Sequence, residues 1–441
     1  MLSRRDTLRL AGLAALATTV ASLSGCGKGQ TDDVATDAEL VSSDVRRSPG
    51  DPAEAAAVVA LMHRLGGGLY GGLASNDGNL ALSPYSVAVA LAMTANGAAG
   101  TTASEMTDVL GLGAGDLDLA GYNGGLGALT QSVEGLAGSW ERQGDDPAVI
   151  ALDAANALFG DRATQWRQAF LDTLAASYGA GMHVVDWAGE PELGRAAVNS
   201  WTAGRTHDRI PTILAPGSVD ALTRLVLVNA LYFKAPWQTP FEDFATSPRP
   251  FRVGGGDPVD VPTMRGTLMN AGYAQQDGWT AIRLPYYGGT LAMTVVLPED
   301  LAAFETSVAG GGLASVLGAT AAATQSVTLS LPKWTFRSTS DLGAVLTELG
   351  MPTAFDADAA DFSGMTEDSD GLHITSVAHQ AWIAVDEAGT EAAAATAVAM
   401  GGTAMPVTIP FDVDRPFLFV IHDVTYGTPL FVGRVVDPTA S

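Results

Sequence analysis

Residues 386–406 read DEAGTEAAAATAVAMGGTAMP, and the fold of the whole chain turns on what this stretch is. Alanine is the strongest helix former, so propensity alone makes it an Ala-rich helix or a plain linker. Its neighbours argue for another reading. Residues 381–385 before it and 417–421 after it carry strand patterns, while the stretch itself offers almost nothing to a core. A segment of small residues between two strands also fits an exposed loop that must later enter a tight space.

At 441 residues and 47% apolar content the chain has material for a large buried core, and length alone suggests about three domains. The net charge of -25 repels phosphate, which argues against nucleic acid or an anionic membrane surface as a partner. Three lysines occur, Lys28, Lys234 and Lys333. GC-rich coding explains the abundance of Ala, Gly, Arg and Asp more simply than adaptation to salt does.

Ser3-Arg4-Arg5-Asp6-Thr7-Leu8 is a twin-arginine pattern, followed over residues 10–23 by an uncharged, Ala- and Leu-rich run too short to span a bilayer well. Leu23-Ser24-Gly25-Cys26 then resembles the lipobox of bacterial lipoproteins. Residues 1–25 are therefore expected to be a twin-arginine lipoprotein signal peptide. Cys26, the single cysteine, is expected to carry a lipid anchor holding the protein on the extracellular face of the cytoplasmic membrane, with secretion as the alternative. One cysteine excludes a disulfide framework, and a thiol nucleophile in the remaining chain. Residues 26–52 are polar, include Asp32, Asp33, Asp37, Asp44, Arg46 and Arg47, and read as a disordered tether.

Val58, Leu61, Met62, Leu65 and Leu69 open the globular part at helical spacing. Residues 79–86 are a short extended run ended by Ser83-Pro84, the N-terminal signal of an apolar helix over 87–95. Residues 111–127 are Gly-rich without GxGxxG after a strand, so a phosphate loop is a weak reading there. Residues 166–178 and 198–201 have helical character. Residues 225–233 are apolar except for Asn229, as a strand covered on both faces requires. Two apolar runs around Tyr287-Gly288-Gly289 predict a hairpin; residues 327–331 alternate with period two, and residues 341–349 have helical spacing. Two apolar strands close the chain. No period repeats, and helices and strands mix without βαβ alternation, which is an α+β pattern.

Enzyme chemistry is thin. His63, His183, His207, His373, His379 and His422 fall in no HExxH or paired-cysteine spacing, and no GxSxG elbow presents a serine. His373 and His379, six apart on extended chain, are structural histidines before they are metal ligands. No enzyme, metal or cofactor is predicted.

Taken in order, the motifs resemble the serpin family of serine protease inhibitors over almost all of residues 53–441. Residues 79–86, with Ala90-Leu91-Ala92-Met93 and Gly97-Ala98-Ala99-Gly100-Thr101, are similar to the family's first-strand and second-helix motif. Val228-Asn229-Ala230-Leu231-Tyr232-Phe233-Lys234 with Trp237 and Phe241 is a second match, and Leu331-Pro332-Lys333-Trp334 a third. Ala360-Asp361-Phe362-Ser363-Gly364-Met365 followed by His379 is a fourth. Val413-Asp414-Arg415-Pro416-Phe417-Leu418-Phe419 matches the C-terminal signature.

The resemblance implies one domain over 53–441 in place of three: a serpin fold of three β-sheets and about nine helices, with an exposed reactive-centre loop at about 387–410. It implies a monomer whose partner is a serine protease. The protease attacks the loop, forms an acyl-enzyme, and is trapped when the cleaved loop inserts as a new central strand. The opening stretch becomes the inhibitory hinge, Glu387, Gly389, Thr390, Ala392, Ala393, Ala394, Ala395 and Thr396. Side-chain chemistry agrees, because a segment entering between two strands can bring no proline and nothing bulky on its inward face. Alternation sets Thr390, Ala392, Ala394 and Thr396 on one face and Glu391 on the other.

By the same resemblance, Ser83, Ser86, Asn229 and His379 match the polar cluster beneath the opening sheet, and Trp237 with Glu387 matches the region where insertion starts. Counting from Glu387 sets the reactive bond at Thr403–Ala404, counting back from Arg415-Pro416 points near Met405, and Met400 is a further candidate. A small residue there favours elastase- or subtilisin-like proteases over trypsin-like ones. The alternatives are a non-inhibitory member acting as a surface binding protein, or an inhibitor of cysteine proteases.

Overall fold

The computed structural model describes residues 38–441 except 76, 115–116, 143–144, 255, 370 and 392–406. The described residues contain nine α-helices: α1 (Pro52–Leu73), α2 (Pro84–Ala95), α3 (Gly100–Val109), α4 (Leu119–Glu134), α5 (Gln168–Tyr178), α6 (Pro191–Arg205), α7 (Leu301–Ala309), α8 (Leu313–Ala322) and α9 (Gly343–Leu349). Ser83 caps α2 by accepting the Ser86 N–H, with Pro84 in the first turn, as the sequence signals.

One sheet runs β1 (Glu39–Val41), β5 (Met182–Val185), β4 (Asp145–Asp161), β6 (Leu225–Pro236), β14 (Gly389–Thr390), β13 (Ile374–Val385), β12 (Trp334–Asp341), with β3 (Gly138–Arg142) paired to β4. The other runs β15 (Ile409–Asp412), β11 (Thr324–Pro332), β8 (Pro258–Gln276), β9 (Trp279–Pro285), β10 (Leu291–Pro298), β16 (Phe417–Asp423), β17 (Pro429–Val435), β2 (Leu80–Leu82), with β7 (Ser247–Arg252) on β8. The expected third sheet is continuous with this second one. β8 pairs with β7 at one end, β11 in its middle and β9 at the other.

Strand β6 shows why its sequence is continuously apolar. Leu225, Leu227, Leu231 and Phe233 face the main core between the sheets. Val226, Val228 and Ala230 face the opposite side, where Trp187, Val198 and Ile210 cover them. A strand so enclosed leaves no solvent face to be polar.

One expectation needs correction. Residues 38–52, the described part of the expected tether, lie on the domain: β1 pairs antiparallel with β5, Arg47 meets Glu134 at 2.8 Å, and Asp51 caps α1. The edge of β5 would otherwise leave its N–H and C=O groups open, and even a polar strand can satisfy them. Gly50 crosses α4 so closely that any Cβ would collide with the Ala128 backbone. The chain therefore joins the domain before residue 53. Residues 1–37, including the signal segment and Cys26, lie outside the described residues.

Helix α4 lies across the Gly-rich stretch, for which the sequence predicted no element. Tyr122, Leu126, Leu129 and Val133 form its buried face. Its glycines conceal the helix by propensity yet serve its packing: a Cβ on Gly125 would come within 2.9 Å of the Glu54 backbone of α1.

Candidate functional site

Strands β6 and β13 pair in parallel from Leu225–Ile374 to Leu231–Ala381. Above that point they part, and β14 sits between them, antiparallel to both, with Thr390 opposite Ala235 on one side and Val385 on the other. Gly389 is obligatory, because a Cβ there would strike the Ala235 carbonyl and the Pro236 backbone. The Thr390 side chain points into the core, where its hydroxyl shares a 2.7 Å hydrogen bond with the Tyr286 hydroxyl. Thr390 is 1% exposed.

Glu391 continues the ladder by one bond, its N–H donating to the Ala384 carbonyl at 2.9 Å. Its φ of +46° then takes the chain out of strand geometry. The Glu391 carboxylate meets the Arg209 guanidinium at 2.6 Å, and that guanidinium lies 4.9 Å from the Trp382 ring centroid. The pairing of β14 between β6 and β13 thus ends within two residues of Gly389. Both ends of the expected 387–410 span are in strands: Ala388, Gly389 and Thr390 are buried, with β14 at Gly389–Thr390, and Ile409 begins β15.

The segment before β14 is pinned from several directions. Trp237 donates its backbone N–H to the Ala388 carbonyl at 2.9 Å and its indole N–H to the Asp386 carbonyl at 3.0 Å. The indole stacks on Tyr286 at 4.6 Å between centroids and 9° between planes. Phe241 N–H donates to the Glu387 carbonyl. The Glu387 carboxylate receives Lys333 Nζ at 2.6 Å and the Thr246 hydroxyl at 2.7 Å. Burial alone would raise the Glu387 pKa, but the bonds from Lys333 and Thr246 outweigh it and hold it below the usual range. Burial raises that of Asp386, opposed by the Ala388 and Gly389 N–H groups.

Ser83, Ser86, Asn229 and His379 come together beneath the β6–β13 seam. Asn229 and His379 are partners across it, and the Ser83 N–H donates to His379 Nε2 at 3.2 Å. Burial pushes the His379 pKa down to about 4, with the Asn229 backbone opposing. The Ser86 hydroxyl and both polar atoms of the Asn229 side chain have no hydrogen-bond partner among the described residues. Each such buried group costs about 1–3 kcal/mol.

The structure brings Glu387, Gly389, Thr390 and Trp237 to the upper end of the seam and Ser83, Ser86, Asn229 and His379 beneath it. Ala392, Ala393, Ala394, Ala395, Thr396, Met400, Thr403, Ala404 and Met405 lie outside the described residues. Sequence reasoning missed Arg209, Thr246, Tyr286 and the function of Lys333. Their contacts span from 54 to 182 positions along the chain, and no local pattern marks them. Among the described residues, no group of three or more His, Cys, Asp and Glu side chains could hold a metal ion.

Comparison with known proteins bears on the same segments. A family profile described as Serpin (serine protease inhibitor) matches residues 61–438. Serpin B6 of Macaca fascicularis is 36% identical over 369 residues, covering 82% of this chain and 94% of that protein. Leukocyte elastase inhibitor of Homo sapiens is 32% identical over 370 residues, with 82% and 93% coverage. A thermophilic serpin, tengpin, solved in its native state, matches with a TM-score of 0.78 and 25% identity, covering 91% of this chain and 100% of that one.

Proposed function

We propose that this chain, which belongs to the serpin family, inhibits extracellular serine proteases by suicide-substrate loop insertion, with elastase- or subtilisin-like enzymes as targets. The family's description as serine protease inhibitors and the relative named leukocyte elastase inhibitor support inhibition in general. The observation that carries the mechanism is β14, two residues of the hinge already hydrogen-bonded between β6 and β13.

Register arithmetic sharpens the proposal. Continuing the antiparallel pairing downward from Thr390 sets Met400 opposite Leu225, where β6 begins, and Gly401 opposite Ile374, where β13 begins. A sheet opened along the β6–β13 seam would therefore accept the chain as far as residue 400 or 401. Insertion to that length would leave Thr403–Ala404, the bond favoured by counting from Glu387, just beyond the far end, where an attached protease would be carried. The faces agree as well. Ala392, Ala394, Thr396, Val398 and Met400 would follow Thr390 inward, and Glu391, Ala393, Ala395, Ala397 and Ala399 would face outward. None is proline, and the inward face ends in apolar residues facing the core.

We further propose that export through the twin-arginine signal and lipidation at Cys26 hold a monomeric inhibitor at the outer face of the membrane. The test of inhibition is incubation with a panel of subtilisin- and elastase-like proteases. The expected result is an adduct stable to denaturing gel electrophoresis, with a new amino terminus at Ala404. Cleavage of the loop with no adduct from any protease would reject inhibition, and a terminus elsewhere between Met400 and Met405 would move the reactive bond.

A further inference from the structure

A cavity of about 300 Å3 lies beside the pinned hinge, between the loop that follows β6 and strands β8, β9 and β10 of the second sheet. Its apolar walls include Trp237, Phe241, Leu268 and Leu284, and Asn270 and Arg283 supply polar groups. The volume is in the range that binds small molecules, and few convergent polar groups on apolar walls are the usual composition of such sites.

Arg283 sets the chemistry. Among the described residues, no carboxylate lies within ion-pair distance of its guanidinium. Asp423, which lines the neighbouring cleft with Arg283, turns its two oxygens to the N–H groups of Tyr426 and Thr428. Gly272, opposite Arg283 across β8 and β9, leaves space for the side chain, since a Cβ there would lie 3.0 Å from Arg283 Nε. Arg224, also half-buried and without a carboxylate, donates to the Ala221 and Thr223 carbonyls; Arg283 faces the cavity. A guanidinium presents a planar fork of donors that a carboxylate matches with two parallel bonds.

We propose that this cavity binds a small organic acid with a flat apolar body, its carboxylate on Arg283 and its ring system against Trp237 and Phe241. Trp237 is shared with the hinge, through the indole and backbone bonds to Asp386 and Ala388. A bound acid would fix the indole and so hold the segment before β14 in place, delaying insertion. That regulatory consequence rests on the inhibitory reading above; the binding itself does not.

The experiment is isothermal titration of the full chain with 1-naphthoate and, separately, with the neutral 1-naphthalenemethanol, without protease. The acid is expected to bind at least tenfold more tightly than the alcohol. Arg283→Gln is expected to remove that difference, and Leu268→Trp, which fills the cavity, to abolish binding of both. Equal affinity for acid and alcohol, or no binding of the acid, would overturn the proposal. Unchanged acid binding by Leu268→Trp would overturn the location. If Arg283→Gln fails to fold, the acid-to-alcohol comparison on the unsubstituted chain decides alone. Because the titration contains no protease, its failure and a failure to inhibit are read separately.

Discussion

Replacing Thr390 by arginine attacks the mechanism where insertion begins. Thr390 is 1% exposed, faces the core, and bonds to the Tyr286 hydroxyl. An arginine there must either carry its guanidinium behind the sheet, at a cost of several kcal/mol for an unpaired buried charge, or keep the hinge out of the sheet. The lost threonine–tyrosine bond adds about 1 kcal/mol. Residues nearer the hinge must enter before those beyond them, so this penalty falls on the barrier. At 1.36 kcal/mol per tenfold, about 4 kcal/mol slows insertion roughly a thousandfold. Hydrolysis of the acyl-enzyme then overtakes trapping. The assay is titration of a subtilisin-like protease, following both residual activity and adduct on a denaturing gel. Thr390→Arg is expected to be cleaved like a substrate with little adduct, whereas Thr390→Val, similar in shape and uncharged, retains most of it. An arginine variant that traps protease as well as the unsubstituted chain refutes insertion through β14.

Other perturbations test other parts. Glu391→Ala removes the ion pair to Arg209, worth about 0.5 kcal/mol because that arginine is half exposed, while the strained backbone, about 1 kcal/mol, still favours moving into the sheet. The uncleaved variant should lose inhibitory capacity faster on storage at 37 °C; an unchanged half-life would show that Arg209 does not restrain the loop. For His379, the folded pKa of about 4 lies below the ordinary 6.5, so below pH 6.5 the unfolded chain binds a proton the folded one excludes. Its contribution, about 3 kcal/mol, is fully present above pH 6.5 and lost as pH falls toward 4. His183 and His422 are also pushed to about 4 by burial, and burial lowers His63 as well, so denaturant titrations of His379→Gln between pH 7 and 4 should lose part of the acid sensitivity; an unaltered pH slope counts against the burial argument. Gly50→Val should lift residues 38–50 from α4 and expose the Arg46 and Arg47 bonds to trypsin, and resistance equal to the unsubstituted chain would contradict that packing.

What could be read from the sequence was whatever is local or periodic. Ser83-Pro84 announces α2, the run at 225–233 announces a strand enclosed on both faces, and Gly389-Thr390 after Glu387 announce residues fit for a sheet. The missing parts are relations between distant residues. Nothing near Glu39–Val41 says that the edge of β5 is vacant, and nothing in the glycines of α4 says that α1 and Gly50 press against them. Alternation placed Glu391 on the outer face, but the chain takes a left-handed turn at that residue, whose carboxylate meets Arg209, 182 positions away. That β14 pairs with both β6 and β13 is likewise a relation no local pattern records.

The central claim is that residues 391–401 have a place waiting between β6 and β13. Cleaving the loop without trapping the protease, then measuring thermal unfolding, tests it most directly. Full insertion opens the parallel β6–β13 ladder and forms two antiparallel ones, a net gain on the order of a dozen hydrogen bonds at about 1 kcal/mol each. At about 2.1 cal/mol/K of unfolding entropy per residue, that gain raises the midpoint by about 10 to 15 °C. A cleaved chain that unfolds at this higher temperature is the predicted result; one that unfolds at or below the temperature of the intact chain contradicts the account.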